Sequence, residues 1–137
     1  MSDRTFYIHH KNMKIVKDPP SPKASEGQSK IEIAELREMT KRMYENLVKA
    51  VVDIEKEILA VDAEMHVDLE QLLIEKENCE PKNLWGINIW PEKSGNDFIE
   101  FDSMINLKPA FGNRTRGIDS VDIRDKIIKI VNKLVEK

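Results

Sequence analysis

Residues 84–117 read LWGINIWPEKSGNDFIEFDSMINLKPAFGNRTRG, and the fold turns on how this stretch is divided. It holds both tryptophans and three of the four phenylalanines of the chain. In its first run Trp85, Ile87 and Ile89 face one way while Asn88 and Trp90 face the other. In its second, Ile99, Phe101, Ile105 and Leu107 oppose Phe98, Glu100, Asp102, Met104 and Asn106. Pro91 and the segment EKSGND between them form a hairpin loop of ordinary length. Keeping the apolar faces aligned puts Trp90 opposite Phe98, Asn88 opposite Glu100 and Gly86 opposite Asp102. Lys108 and Pro109 close the second strand, and AFGNRTRGIDS is loop.

Outward from the hairpin, Ser120 is placed to cap a helix over VDIRDKIIKIVNKLVEK, about residues 121–136, with Asp122 in its first turn and lysines in its last. Upstream, Ile33, Leu36, Met39, Met43, Leu47, Val51, Ile54, Ile58 and Val61 recur three or four apart, which predicts one long helix over about 31–60. Ser29 and Glu32 could make a capping box at its start. The run VVDIEKEILAV also alternates with a period of two, so a strand reading stays open for residues 50–61. In EMHVDLE, Met65, Val67 and Leu69 alternate with His66, Asp68 and Glu70, which reads as a strand; MKIVK at 13–17 reads as an edge strand. The expected order is β-α-β-β-β-α, an α+β, two-layer fold with a mostly antiparallel sheet of three to four strands and two main helices on its apolar face. Residues 1–12 read as a flexible extension and 13–137 as one domain, with DPPSPKASEGQSK at 18–30 as a mobile loop.

With 40% hydrophobic and 34% charged residues, a chain of this length can bury one core without a disulfide or structural metal. Its lone Cys79 sits in the acidic run EKENCEP, away from the cations that would activate a thiol, and a chain with a single cysteine fits a cytoplasmic protein. No apolar run of signal-peptide or membrane-spanning length occurs, so no membrane is expected as a partner. A formal charge of −3 and a pI near 5.7 disfavour nucleic acid, which needs clustered Lys and Arg. His9 and His10, adjacent and near a terminus, read as solvated rather than metal-binding.

The runs LVKAVVDIEKEILAV, EMHVD, LWGINIWP, FIEFDSMINLKP and GNRTRG, in this order, resemble a family of short bacterial and archaeal proteins catalogued only as a domain of unknown function. The resemblance extends over about residues 13–137. It implies a glycine pair where this chain has Asp62 and Ala63, an alanine at Val67 and a serine at Thr115. It implies no activity.

No CxxC, HExxH, GxSxG, P-loop or Rossmann glycine pattern is present. What remains depends on the sheet. On its polar face His66 and Asp68 would lie beside Asn88, Glu100, Asp102 and Asn106, with Asn113, Arg114 and Arg116 in the adjoining loop. The plain reading is a solvated sheet face. Trp90, Phe98 and Met104 on that same face point instead to a covered one, through a homodimer or another protein. Arg114 and Arg116, with Asn113, Asn88 and Asn106, could hold a small anionic ligand. The preferred reading is therefore an interaction or anionic-ligand-binding module with no cofactor. The alternative is a metal-dependent phosphodiesterase or nuclease, with a divalent cation on His66, Asp68, Glu100 and Asp102; it requires those four to converge.

Overall fold

A computed structural model describes residues 12–18, 29–44 and 46–137. The expected extension through residue 11, with His9 and His10, and positions 19–28 of the expected mobile loop lie outside the described residues. In chain order the strands and helices are β1 (Lys14–Val16), β2 (Ile31–Glu32), α1 (Ile33–Thr40), β3 (Val48–Asp53), β4 (Ile58–Val61), α2 (His66–Glu77), β5 (Leu84–Ile89), β6 (Ile99–Glu100), α3 (Val121–Leu134) and β7 (Val135–Glu136). The main sheet is antiparallel throughout in the order β1-β4-β3-β5-β6, while β2 and β7 make a short parallel pair. The α+β class expected from the sequence is the one found.

Its hairpin register is also as read. Asn88 pairs with Glu100, Ile89 pairs with Ile99, and the Trp90 amide donates to the Phe98 carbonyl at 2.9 Å. The ladder ends there, so Gly86 has no strand partner at Asp102.

The long helix over 31–60 is not found. Helix α1 covers only its first part, β2 precedes it, and neither Ser29 nor another side chain caps it. Residues 48–61 form the hairpin β3–β4 at the centre of the sheet. Both faces of β3 are buried, so apolar residues occupy successive positions instead of alternating, and the run then matches a helical stripe by accident. Its turn is set by Asp53, whose Oδ1 accepts from the amides of Glu55 at 2.7 Å and Lys56 at 2.9 Å, with Glu57 in the left-handed region at φ 57°.

EMHVDLE is likewise not a strand but the start of α2. Its buried residues His66, Leu69, Leu72 and Leu73 follow a helical spacing, whereas Met65 and Val67 face solvent. Burial of each leucine contributes about 2 kcal/mol, enough to override a short alternation. The helix ends at Asn78, left-handed at φ 58°, and the Cys79 amide reaches back to the Leu73 carbonyl. Cys79 is buried beneath it; burial and then the Asp53 carboxylate push its thiol up, so it stays protonated.

Helices therefore cover both faces of the sheet, and the two-layer expectation becomes three layers. Leu36 and Met39 of α1 and Ile127, Ile130, Val131 and Leu134 of α3 pack with Ala50, Val52, Trp85, Ile87 and Ile89. On the other face Leu69, Leu72 and Leu73 of α2 pack with Ile15, Val51, Ala60 and Leu84. Where the family resemblance implies glycine, Asp62 sits at φ 81°, a conformation glycine adopts without strain. Its buried carboxylate is paired with Arg42, and burial pushes its pKa up against the opposing pull of that guanidinium.

Candidate functional site

Beyond Glu100 the chain leaves the sheet and runs to α3 through two 3₁₀ turns, Met104–Asn106 and Pro109–Phe111. So little regular structure leaves many backbone polar groups to be satisfied, and two buried asparagines do much of that. Asn106 is fully buried; its Nδ2 donates to the carbonyls of Gly86 at 3.0 Å and Arg116 at 2.9 Å, and its Oδ1 accepts from the Gly86 amide at 2.8 Å. One side-chain amide thus takes the place of the missing strand residue opposite Gly86. Asn113 donates to the carbonyls of Asn106, Gly117 and Thr115 at 2.7, 2.8 and 3.2 Å and accepts from the Asp119 amide at 2.8 Å. Lys108 and Asn113 bridge through their backbones, Gly112 turns the chain at φ 85°, and the Ser103 amide donates to the Arg116 carbonyl at 3.0 Å.

The residues expected at the polar sheet face are accordingly dispersed. Asn106 and Asn113 spend their amides on the protein's own backbone. Asn88 is buried against Glu100, donating to its Oε1 at 3.0 Å, and the Trp90 indole donates to the same oxygen at 3.1 Å. Arg116 donates through Nε to Asp102 at 2.8 Å, while Arg114 extends exposed at the loop tip. The amides of Gly112, Asn113 and Gly117 are engaged within the loop and so are withdrawn from the anion nest anticipated there, as is that of Asp119 beyond it.

His66 does not meet the acids named with it. It opens α2 and points into the sheet, donating from Nε2 to the Ile87 carbonyl at 2.8 Å. Asp68 lines a different recess of about 370 Å³ with Arg42, Asp62 and Glu64. Among the described residues no three His, Cys, Asp or Glu side chains are grouped to hold a metal ion. The convergence that the divalent-cation reading requires is missing.

Burial lowers the His66 pKa to about 4, with the Ile87 carbonyl opposing that shift. Because the folded value lies below the unfolded one, near 6.5, the resulting stability is fully present above pH 6.5 and is lost as the pH falls through about 4. The loss attributable to His66 is expected to be roughly 3 kcal/mol over that window. Urea unfolding of wild type and His66→Gln from pH 7 to pH 4 checks it: glutamine can still donate to Ile87, so the variant should lose less. Identical pH slopes would remove the assignment.

Of the three interface candidates, Phe98 belongs to the core, under the Lys137 ammonium at 3.9 Å from its ring centre. Trp90 is half-buried, with Lys93 over its ring at 4.2 Å. Met104 is 62% exposed, and it is joined in the same loop by Leu107 and by Phe111, which is 66% exposed. Phe111 was not singled out from the sequence. Its signal was an aromatic between Pro109 and Gly112, in a turn with no strand or helix face to bury it.

Residues 27–134 match the family described as a protein of unknown function, DUF5674, and the chain belongs to that family. No curated protein and no solved structure matches it.

Proposed function

We propose that this member of DUF5674 is a small interaction module whose loop 101–117 docks a partner carrying an acidic group beside an apolar one. One observation carries the reading. Two buried asparagines fix the backbone of a loop that holds Met104, Leu107 and Phe111 out in solvent, with the exposed Arg114 following Phe111 in the same loop. Fixing the loop before contact lowers the ordering cost of binding, and an exposed aromatic beside an arginine is the usual composition of an interface hot spot. The same reading makes it a cytoplasmic protein of a bacterium or archaeon, supported by the free buried thiol of Cys79, and a homodimer in which the loop stays available.

Phe111→Ala and Arg114→Ala are each expected to weaken capture of a partner by about 30-fold, equivalent to about 2 kcal/mol, without changing the melting temperature. Affinity capture from native cell extract with wild-type and variant protein, read by mass spectrometry at low and high salt, measures this. The Arg114 contribution should fade with salt and the Phe111 contribution should persist. Capture of the same proteins by wild type and both variants would sink the loop as the docking surface.

A further inference from the structure

The edge of the main sheet at β6 is open, and its geometry identifies what can add to it. Because the Trp90 amide donates to the Phe98 carbonyl just beyond them, Ile89 and Ile99 are the non-bonded pair of the ladder, so the Ile99 amide and carbonyl point away from β5. No strand lies beyond β6 among the described residues. Between this edge and α3 runs a groove of about 730 Å³, with Ile99 and Phe101 on the strand side. Its other wall is one stripe of α3: Val121, 58% exposed, then Arg124, Asp125 and Ile128, 37% exposed. Apolar residues at Val121 and Ile128 face solvent here although α3 has already supplied Ile127, Ile130, Val131 and Leu134 to the core. The Arg124 Nε is buried with no hydrogen-bond partner among the described residues.

We infer that a second copy of this chain fills the groove, related by a two-fold axis, with β6 antiparallel to β6 and α3 packed on α3. Charge complementarity selects this occupant. Arg124 and Asp125 are adjacent on the groove wall, so an antiparallel α3 pair brings the acid of each copy to the base of the other. At the strand edge, Ile99 of each copy pairs with Ile99 of the other, and the outward amide and carbonyl gain partners. This inference rests on the homodimer reading above and gives that dimer its surface; of loop 101–117 the groove uses Phe101 and none of Met104, Leu107, Phe111 or Arg114.

Sedimentation equilibrium over a wide concentration range tests it, with circular dichroism as the control for folding. Wild type is expected to dimerise. Ile128→Glu and Asp125→Arg should each raise the dissociation constant by about tenfold or more, since each removes or inverts a symmetric contact twice. Asp125 is exposed, so its variant folds even if Ile128→Glu does not. The swapped variant Arg124→Asp with Asp125→Arg keeps the two-fold complementarity and should recover most of the affinity lost by Asp125→Arg alone. Wild type that stays monomeric overturns both the homodimer and its surface. A dimer indifferent to Asp125→Arg and Ile128→Glu overturns the groove alone.

Discussion

Asn106→Asp is expected to cost the fold roughly 4 kcal/mol at neutral pH, at a position where the two side chains have nearly the same shape. The amide nitrogen of Asn106 donates to the Gly86 and Arg116 carbonyls, and its oxygen accepts from the Gly86 amide. A carboxylate keeps only the last of these. It leaves the buried Gly86 carbonyl without a donor, at about 1–3 kcal/mol, takes from the Arg116 carbonyl one of its two donors, the Ser103 amide remaining, and sets a buried negative charge against both oxygens. That environment raises the pKa of the introduced carboxyl, so its cost is smallest below the unfolded carboxyl value near 4 and grows as the pH rises. The pH trend therefore opposes the one His66 imposes on wild type. Chemical denaturation at pH 7 and pH 4 reads both quantities; a variant within 1 kcal/mol of wild type at pH 7 would mean that the Gly86 carbonyl and the introduced carboxylate find water instead.

How these residues read in the sequence shows where linear pattern stops being informative. The hairpin of β5 and β6 was legible because its loop is short and its faces differ: once Pro91 and EKSGND mark the turn, only one register keeps Ile89 with Ile99 and Asn88 with Glu100. Helix α3 was legible because Ser120 accepts from the Ile123 amide as its cap and one stripe is buried; it stops two residues short of the expected 136, where Val135 and Glu136 pair with Ile31 and Glu32. Strand β3 was not, since burial on both faces erases the period that distinguishes strand from helix. The start of α2 failed for the opposite reason, because Met65 and Val67 are apolar and exposed and so imitate a strand face. At the candidate site the failure was one of direction. Asn88, Asn106 and Asn113 carry the side chains of a wet surface, yet all three are buried, and their donors serve backbone and side-chain groups of the protein itself, across the sheet for Asn88 and Asn106 and within the loop for Asn113. Composition cannot show which asparagines have been enlisted as backbone substitutes. Arg114 is exposed in the loop where the sequence placed it, whereas Met104, read as a strand residue on the polar face, is exposed from a 3₁₀ turn instead.

Gly86→Ala should destabilise the protein by about 3 kcal/mol, although alanine in a strand interior is ordinarily better than glycine by 0.5–1 kcal/mol. Gly86 lies in the middle of β5, where the backbone is extended and suits any residue, so its role is the space it leaves. A Cβ built there falls 2.5 Å from Ser103 Cβ, 2.6 Å from Ser103 Oγ and 3.2 Å from His66 Cδ2. None of these can retreat cheaply. Ser103 is held through its amide to the Arg116 carbonyl and through Oγ to the Ile105 amide, and His66 is held to Ile87 on the same strand. The methyl therefore pushes on the loop rather than on a free side chain, and the cost of overpacking adds to that of the hydrogen bonds it loosens. Removing the opposing atom tests this cause: Ser103→Gly in the Gly86→Ala background should recover about 2 kcal/mol, a coupling that urea unfolding of the two singles and the double variant isolates. Gly86→Ala with wild-type stability would show that the strand and loop can move apart freely, and the fixed backbone on which the docking surface depends would go with it. If the destabilisation appears and Ser103→Gly relieves it, loss of partner capture by Gly86→Ala follows from displacement of the 103–116 backbone, because the substitution lies in the sheet beneath the loop and alters none of the exposed side chains.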